Sequence, residues 1–175
     1  NVPVEIIRQK DKSNFEVDFS LKINLLYNLD NIFRSDPNAK EILFLTRYHD
    51  YVYKNGYDDL KKYLHSIFKS KKKNIKFSTI HSAKGSEADY VFILNISDGF
   101  LGFPSTIEDD PLLKLAKYDS SNSSDDDKKE KNEEERRLFY VALTRTKKKV
   151  FIYGSDDAYF VNEILNDKKI KKNHL

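Results

Sequence analysis

Residues 41–46 read EILFLT and residues 90–94 read YVFIL, two short runs that are almost continuously apolar. Runs of this kind are typical of strands that are buried on both faces of a parallel sheet. Apolar residues recur at helical spacing at 19–33 and at 57–68, on either side of the first run. Because strands and helices alternate, the sequence predicts an α/β fold with a mostly parallel sheet. In such sheets the ligand crevice lies at the carboxyl ends of the strands.

The alternation continues towards both ends of the chain. Further strands are predicted at 4–8, 75–80 and 150–153, and further helices at 133–147 and 158–165. All 175 residues are therefore expected to form a single domain.

One segment, 98–132, interrupts the alternation and is predicted to be a loop insertion. Its second half, 119–132, is rich in serine and acidic residues and lacks apolar anchors. A segment of that composition cannot bury enough apolar surface to fold, so this half is predicted to be disordered.

The composition excludes several kinds of site. The chain has no cysteine, which excludes disulfides, thiolate metal sites and cysteine nucleophiles. None of its four histidines lies at zinc-ligand spacing, so no metal site is expected. No apolar run approaches the roughly 18 residues of a membrane span, and no segment resembles a signal peptide. We therefore expect a cytoplasmic protein without a membrane partner. Because the chain contains no methionine, even at position 1, we interpret it as a piece of a longer protein.

The net charge of +3 is unevenly distributed. Segment 119–135 contains eight acidic residues and three lysines, which leaves the rest of the chain at +8. A basic body favours a polyanionic partner such as nucleic acid. The same excess also fits a protein in which lysine is simply abundant, and charge alone does not decide between the two.

The polar sequence STIHSAKGSE, at 78–87, follows the strand predicted at 75–80 and is the first candidate site. Lys84 could neutralise a phosphate, and Gly85 would let the backbone approach a ligand closely. Glu87 could accept hydrogen bonds from a sugar hydroxyl. An ordinary solvated turn explains the same residues equally well.

Two arginines are further candidates. Arg145 lies on the same helical stripe as Val141 and Ala142, in a run that predicts a deeply buried helix. A guanidinium that emerges from such a stripe needs an anionic partner, either a structural carboxylate or a ligand phosphate. Arg47 directly follows EILFLT and should point towards the crevice, although a single arginine after a strand is common. The sequence has no G-x-x-x-x-G-K-[ST] phosphate loop, so any nucleotide site would have to bring these side chains to a phosphate bound elsewhere.

Three segments together resemble motifs of the C-terminal RecA-like motor domain, domain 2A, of superfamily 1 helicases of the UvrD/Rep type. The sequences ILFLTRY at 42–48, TIHSAKGSEADYV at 79–91 and EERRLFYVALTRT at 134–146 are similar to motifs IV, V and VI. The loop GFPS at 102–105 also resembles a segment of the helicase IV-like branch. The resemblance covers about 40–155 and implies a RecA-like, P-loop NTPase-type sheet that lacks the phosphate loop.

The resemblance implies a role for each candidate in an ATP-dependent DNA helicase. Arg145 would be an arginine finger on the γ-phosphate of ATP, and Arg47 would join it as a second catalytic arginine. Lys84 and Gly85 would lie on the triphosphate side of the cleft, and Glu87 would bind the ribose. ATP and Mg²⁺ would be held mainly by an N-terminal helicase domain of the same protein, so the isolated fragment should be inactive.

The resemblance also implies a second surface. Thr79, His81 and Ser82 would face single-stranded DNA, and the whole protein would move along it, in the 3′-to-5′ direction, to unwind duplex DNA. Two alternatives stay open at this point: a non-catalytic module that binds nucleic acid or protein, and an RNA polymerase-associated motor of similar fold. If the motor roles hold, one edge of the sheet should gather Arg47, Lys84, Glu87 and Arg145.

Overall fold

The computed structural model describes residues 3–9, 19–48, 57–69, 74–99, 102–105 and 124–166. In these ranges the strands are β1 Val4–Gln9, β2 Glu41–Thr46, β3 Asn74–Thr79, β4 Ala88–Ile96 and β5 Thr146–Ser155. The helices are α1 Phe19–Ser35, α2 Tyr57–Lys69, α3 Ser124–Leu143 and α4 Tyr159–Asn166.

The strands form one sheet in the order β1-β5-β4-β2-β3, and every neighbouring pair is parallel. The register aligns Ile42 of β2 with Tyr90 of β4, and Val4 of β1 with Val150 of β5. The two runs that suggested buried strands thus lie side by side in the centre of the sheet. The predicted α/β fold is confirmed.

Helices cover both faces of the sheet. Successive residues of each strand point to opposite sides, and because the strands are apolar on both sides, each face needs a covering layer. On one face, α1 and α2 pack on a stack of rings from Phe44, Phe92 and Phe151. On the other, α3 and α4 pack around Phe139 and Phe160, whose rings are stacked with centroids 4.6 Å apart. Each fully buried ring of this kind stabilises the fold by about 1.5–3 kcal/mol.

A charged cluster joins the end of α1 to the start of the central strands. The Lys148 Nζ lies 2.6 Å from Asp36 Oδ2 and 3.9 Å from Asp89 Oδ1. The Asp89 carboxylate also accepts hydrogen bonds from the backbone amides of Lys40 and Glu41. The cluster therefore fixes the turn between α1 and β2 against β4 and β5.

The structure corrects the prediction for the segment before α3. The helix begins at Ser124 instead of 133, so 124–132 is helical and the predicted disorder is wrong there. Residues 119–123 lie outside the described residues. Lysine and glutamate are good helix formers, which lets a polar segment extend a helix without an apolar stripe of its own.

The burial and the end of α3 also differ from the prediction. Phe139 and Ala142 are buried, but Tyr140 is 67% exposed, so the helix packs through one stripe only. It ends at Leu143, and Thr146 already belongs to β5. Within the described ranges, no helix is both long and apolar enough to cross a lipid bilayer.

Candidate functional site

The loop at 80–87 runs from one edge of the sheet to the other. It starts after Thr79, at the carboxyl end of β3, and reaches Ala88, at the amino end of β4. Because both strands are parallel to β2, the loop must return along the full height of the sheet. Its first residues therefore lie at the carboxyl edge, and its last residues lie at the amino edge.

The loop is held by its own turns and by burial. The Ala83 amide donates to the Thr79 carbonyl at 2.9 Å, and the Ser86 amide donates to the Ala83 carbonyl at 2.9 Å. Ile80 and Ala83 are buried against the α3 side of the sheet. Gly85 has φ = 85°, a backbone conformation that residues with a side chain rarely adopt. No atom lies within 4 Å of the position that a Cβ would occupy there.

Arg145 lies at the amino edge, in the turn between α3 and β5. Its carbonyl accepts from the Ala88 amide at 2.9 Å. Its guanidinium donates to the Val141 carbonyl at 2.9 Å, to the Ser86 carbonyl at 3.4 Å and to the Thr144 hydroxyl at 3.1 Å. All three acceptors are neutral. Among the described residues, its positive charge therefore has no carboxylate partner.

Glu87 and Lys84 are exposed residues of the loop at 80–87. The Glu87 carboxylate is 3.6 Å from Lys147 Nζ, and both side chains are more than half exposed. A pair of this kind contributes about 0–1 kcal/mol, so either partner can exchange it for a ligand at little cost. Glu87 and Arg145 are the two predicted site residues that the amino edge brings together.

Arg47 lies at the opposite, carboxyl edge and is already paired. It donates through Nε and Nη2 to the Glu135 carboxylate, with a shortest distance of 2.6 Å. The two side chains are only 13% and 4% exposed. Burial alone would lower the pKa of Arg47. The hydrogen bonds that Arg47 donates to Glu135, together with the negative charge of Glu135, outweigh burial and raise that pKa above its ordinary value. The charge of Arg47 is therefore compensated within the protein.

The Arg47–Glu135 pair also holds two neighbouring segments. The Ser105 amide donates to Glu135 Oε2 at 3.1 Å, and the Tyr48 hydroxyl donates to the Ser105 hydroxyl at 2.7 Å. The end of β2, the loop at 102–105 and α3 thus meet at one buried carboxylate.

His81 completes the carboxyl edge. Its Nδ1 lies 3.3 Å from Arg47 Nη1, and because arginine only donates, Nδ1 must accept and the ring proton of the neutral form sits on Nε2. Burial, and after it the Arg47 charge, lowers the pKa of His81 below its ordinary value. Nearby, Thr79 Oγ1 accepts from the Ser82 amide at 3.2 Å. Thr79, His81 and Ser82, the predicted nucleic-acid residues, therefore cluster here with Arg47.

The expectation that all the charged candidates share one edge is wrong, and with it the role of Arg47 as a second arginine on the same phosphate as Arg145. Leu45, two residues before Arg47, pairs with Ile93 near the end of β4. Thr146, the residue after Arg145, pairs with Ala88 at the start of β4. Arg47 and Arg145 are therefore separated by about eight strand positions, roughly 25 Å. One phosphate group cannot contact both arginines in this arrangement. The error arose because Arg47 follows its strand whereas Arg145 and Glu87 precede theirs, and parallel strands put these positions at opposite edges.

The sequence analysis did not single out Glu135, which organises the carboxyl edge. A signal was available: Glu135, Phe139 and Ala142 share one helical stripe, and the last two belong to the core. An acidic residue on a buried stripe needs a cationic partner. No group of three or more histidine, aspartate or glutamate side chains in the part of the chain that the structure describes could hold a metal ion.

Comparison with known proteins agrees with this architecture. A family model described as the UvrD-like helicase C-terminal domain matches residues 21–156, more than three quarters of the chain. No curated protein matches the chain. The all-parallel sheet with helices on both faces fits the RecA-like fold of the resemblance. The chain therefore belongs to the family of UvrD-like helicase C-terminal domains.

Proposed function

We propose that this chain is the C-terminal motor domain of an ATP-dependent DNA helicase or translocase. The observation that carries the proposal is the state of Arg145. Its guanidinium is oriented at an open edge by three neutral oxygen atoms and has no carboxylate partner among the described residues. An oriented, uncompensated guanidinium is what stabilisation of a phosphoryl group requires.

The amino edge fits a nucleotide held by a second domain. Arg145 would place its charge on the terminal phosphate, and Glu87 would exchange Lys147 for a ribose hydroxyl. Lys84 is exposed, and Gly85 leaves open space where a side chain would stand, so both can approach the triphosphate. Hydrolysis of ATP, bound with Mg²⁺ mainly by an N-terminal domain, would supply the free energy for movement. This chain's contribution is positioning and charge neutralisation.

The carboxyl edge fits the nucleic-acid strand. His81 and Ser82 are exposed at this edge, and the buried Thr79 donates its hydroxyl to the Ser82 hydroxyl at 3.0 Å. The Ser82 hydroxyl and the His81 imidazole would contact the phosphate and sugar groups of single-stranded DNA without reading its sequence, and Thr79 would orient Ser82. Nucleotide and nucleic acid would therefore bind at opposite edges of one sheet.

The test is Arg145→Gln in the protein that joins this domain to its phosphate-loop domain. We expect kcat for ATP hydrolysis to fall by about 10³–10⁵-fold, the usual range for loss of an arginine finger. The Kd for a single-stranded oligonucleotide should change far less than kcat, because Arg145 makes no direct contact at the carboxyl edge.

Arg136→Gln is the matched control. Arg136 lies on α3, the helix that leads to the turn of Arg145, but it pairs with Glu163 at an exposed position, so its loss should leave kcat unaltered. An unchanged kcat in Arg145→Gln would contradict the arginine-finger role. DNA binding without any ATPase activity in the unmutated protein would favour the non-catalytic module instead.

A further inference from the structure

Two of the connections between the edges of the sheet each contact both arginines. The first is α3 with its following turn, which carries Glu135 to the carboxyl edge and Arg145 to the amino edge. Phe139 and Ala142, which lie between these two residues, are buried in the core and anchor the stretch.

The second connection is the loop at 80–87. At the carboxyl edge, His81 Nδ1 accepts from Arg47 Nη1 at 3.3 Å. At the amino edge, the Ser86 carbonyl accepts from Arg145 Nη1 at 3.4 Å. Buried Ile80 and Ala83 hold the loop in between against the sheet.

The two connections close into a ring of contacts. Arg47 touches Glu135 on α3 and His81 on the loop, and Arg145 is bonded to α3 through the Val141 carbonyl and to the loop through Ser86. Each arginine therefore spans both connections at its own edge. A change in the bonding of one arginine must act on the two elements that also contact the other.

We propose that Glu135 and Arg47 are positioning residues that couple nucleotide binding at the amino edge to nucleic-acid binding at the carboxyl edge. This inference rests on the proposed function. An anion that accepts the hydrogen bonds of the Arg145 guanidinium would replace the Val141 and Ser86 carbonyls as its acceptors. The ring of contacts would then have two arrangements, one with these two bonds and one without them. Coupling then consists of both ligands favouring the same arrangement.

Glu135 has features that a purely structural residue would not need. A buried ion pair is often no more stable than an apolar pair of similar volume, so stability alone does not account for it. Both of its oxygen atoms accept from Arg47 at the end of β2, and Oε2 also accepts from the Ser105 amide of the 102–105 loop. A displacement of α3 would therefore act on Arg47, and through Arg47 on His81.

The experiment measures coupling as a ratio. In the protein that contains both motor domains, the Kd for a single-stranded oligonucleotide is determined with and without a non-hydrolysable ATP analogue. A coupled protein gives a ratio of about 5–150-fold. We expect Glu135→Gln to bring that ratio close to one while kcat without DNA stays within about twofold of the unmutated value. Arg136→Gln, which removes the exposed ion pair of the same helix, should keep the full ratio.

A second variant covers the case in which Glu135→Gln does not fold. Arg47→Met with Glu135→Leu replaces the pair by apolar side chains, which tends to preserve stability. Loss of the ratio in a variant that still melts cooperatively supports the inference, and a retained ratio overturns it. If the unmutated protein shows no ATPase activity, the proposed function fails and the inference falls with it. If the unmutated protein hydrolyses ATP and these variants keep the full ratio, the inference is wrong and the proposed function stands.

Discussion

At the scale of single residues, the two arginines show that environment decides the role of a charged side chain. Arg47 is enclosed with a carboxylate at 2.6 Å, whereas Arg145 is bonded only to neutral oxygen atoms. The first guanidinium is neutralised within the fold, whereas the second has no carboxylate partner among the described residues. The sequence shows the same residue type near the end of an apolar segment in both cases.

This difference predicts opposite effects on stability. Arg47→Gln leaves the Glu135 carboxylate buried without a counter-ion, so the free energy of unfolding should fall by about 3–5 kcal/mol. Arg145→Gln removes three hydrogen bonds at a partly exposed position and should cost about 1 kcal/mol or less. Urea titration of the isolated domain measures both. Equal losses in the two variants would contradict the assignment of Arg47 to a buried pair.

At the scale of elements, the Asp36–Lys148–Asp89 cluster joins α1, β4 and β5. The hydrogen bond from Lys148 is the main reason why the pKa of Asp36 lies below its ordinary value. Burial would raise the pKa of Asp89, but the amides of Lys40 and Glu41 outweigh it and lower that pKa. Tyr90 donates to Asp36, and burial together with that bond raises the pKa of Tyr90 to about 12.

The cluster predicts a loss of stability in acid. A carboxylate whose pKa is depressed on folding stabilises the protein above its unfolded pKa, and the contribution is lost as the pH falls through the folded value. The free energy of unfolding should therefore drop as the pH falls below the ordinary aspartate value of 3.8. In Asp36→Asn this dependence should be shallower. Urea midpoints at several values between about pH 3 and 7 provide the measurement, and identical slopes in the two proteins would rule out the cluster as the cause.

Elements were easier to predict from sequence than the site was. The apolar run at 41–46 predicted β2 with its observed bounds, because burial on both faces leaves a plain signature. The start of α3 was missed because its first two turns carry no apolar stripe. Thr79, His81 and Ser82 lie together because they share one turn, and their role in binding stays a prediction. The edge that Arg145 reaches depends on strand direction. Glu135 was missed because its partners, Arg47 and Ser105, are 88 and 30 residues away.

At the scale of the whole molecule, the sequence has no phosphate loop, although Arg145, Lys84 and Glu87 could each contact part of a nucleotide. The proposed function therefore requires a second domain to supply the loop that holds the phosphates and the metal ion.

The isolated domain should accordingly hydrolyse no ATP above background while still binding single-stranded DNA weakly. Because the binding would be largely to phosphates, the logarithm of the affinity should fall linearly with the logarithm of the salt concentration, by about 0.7 per phosphate neutralised. A phosphate-release assay and fluorescence anisotropy at several salt concentrations measure the two properties. ATP hydrolysis by the purified domain, or binding indifferent to salt, would contradict this prediction.

The pairing of β1 with β5 has a consequence for how the protein is made. Val4 is level with Val150, so an early strand waits for a partner that the ribosome synthesises nearly 150 residues later. Closing so long a stretch of chain is slow, and unpaired strand edges are prone to aggregate meanwhile. The elements from α1 to β4 can assemble during translation, but the sheet is completed only after β5 has left the exit tunnel.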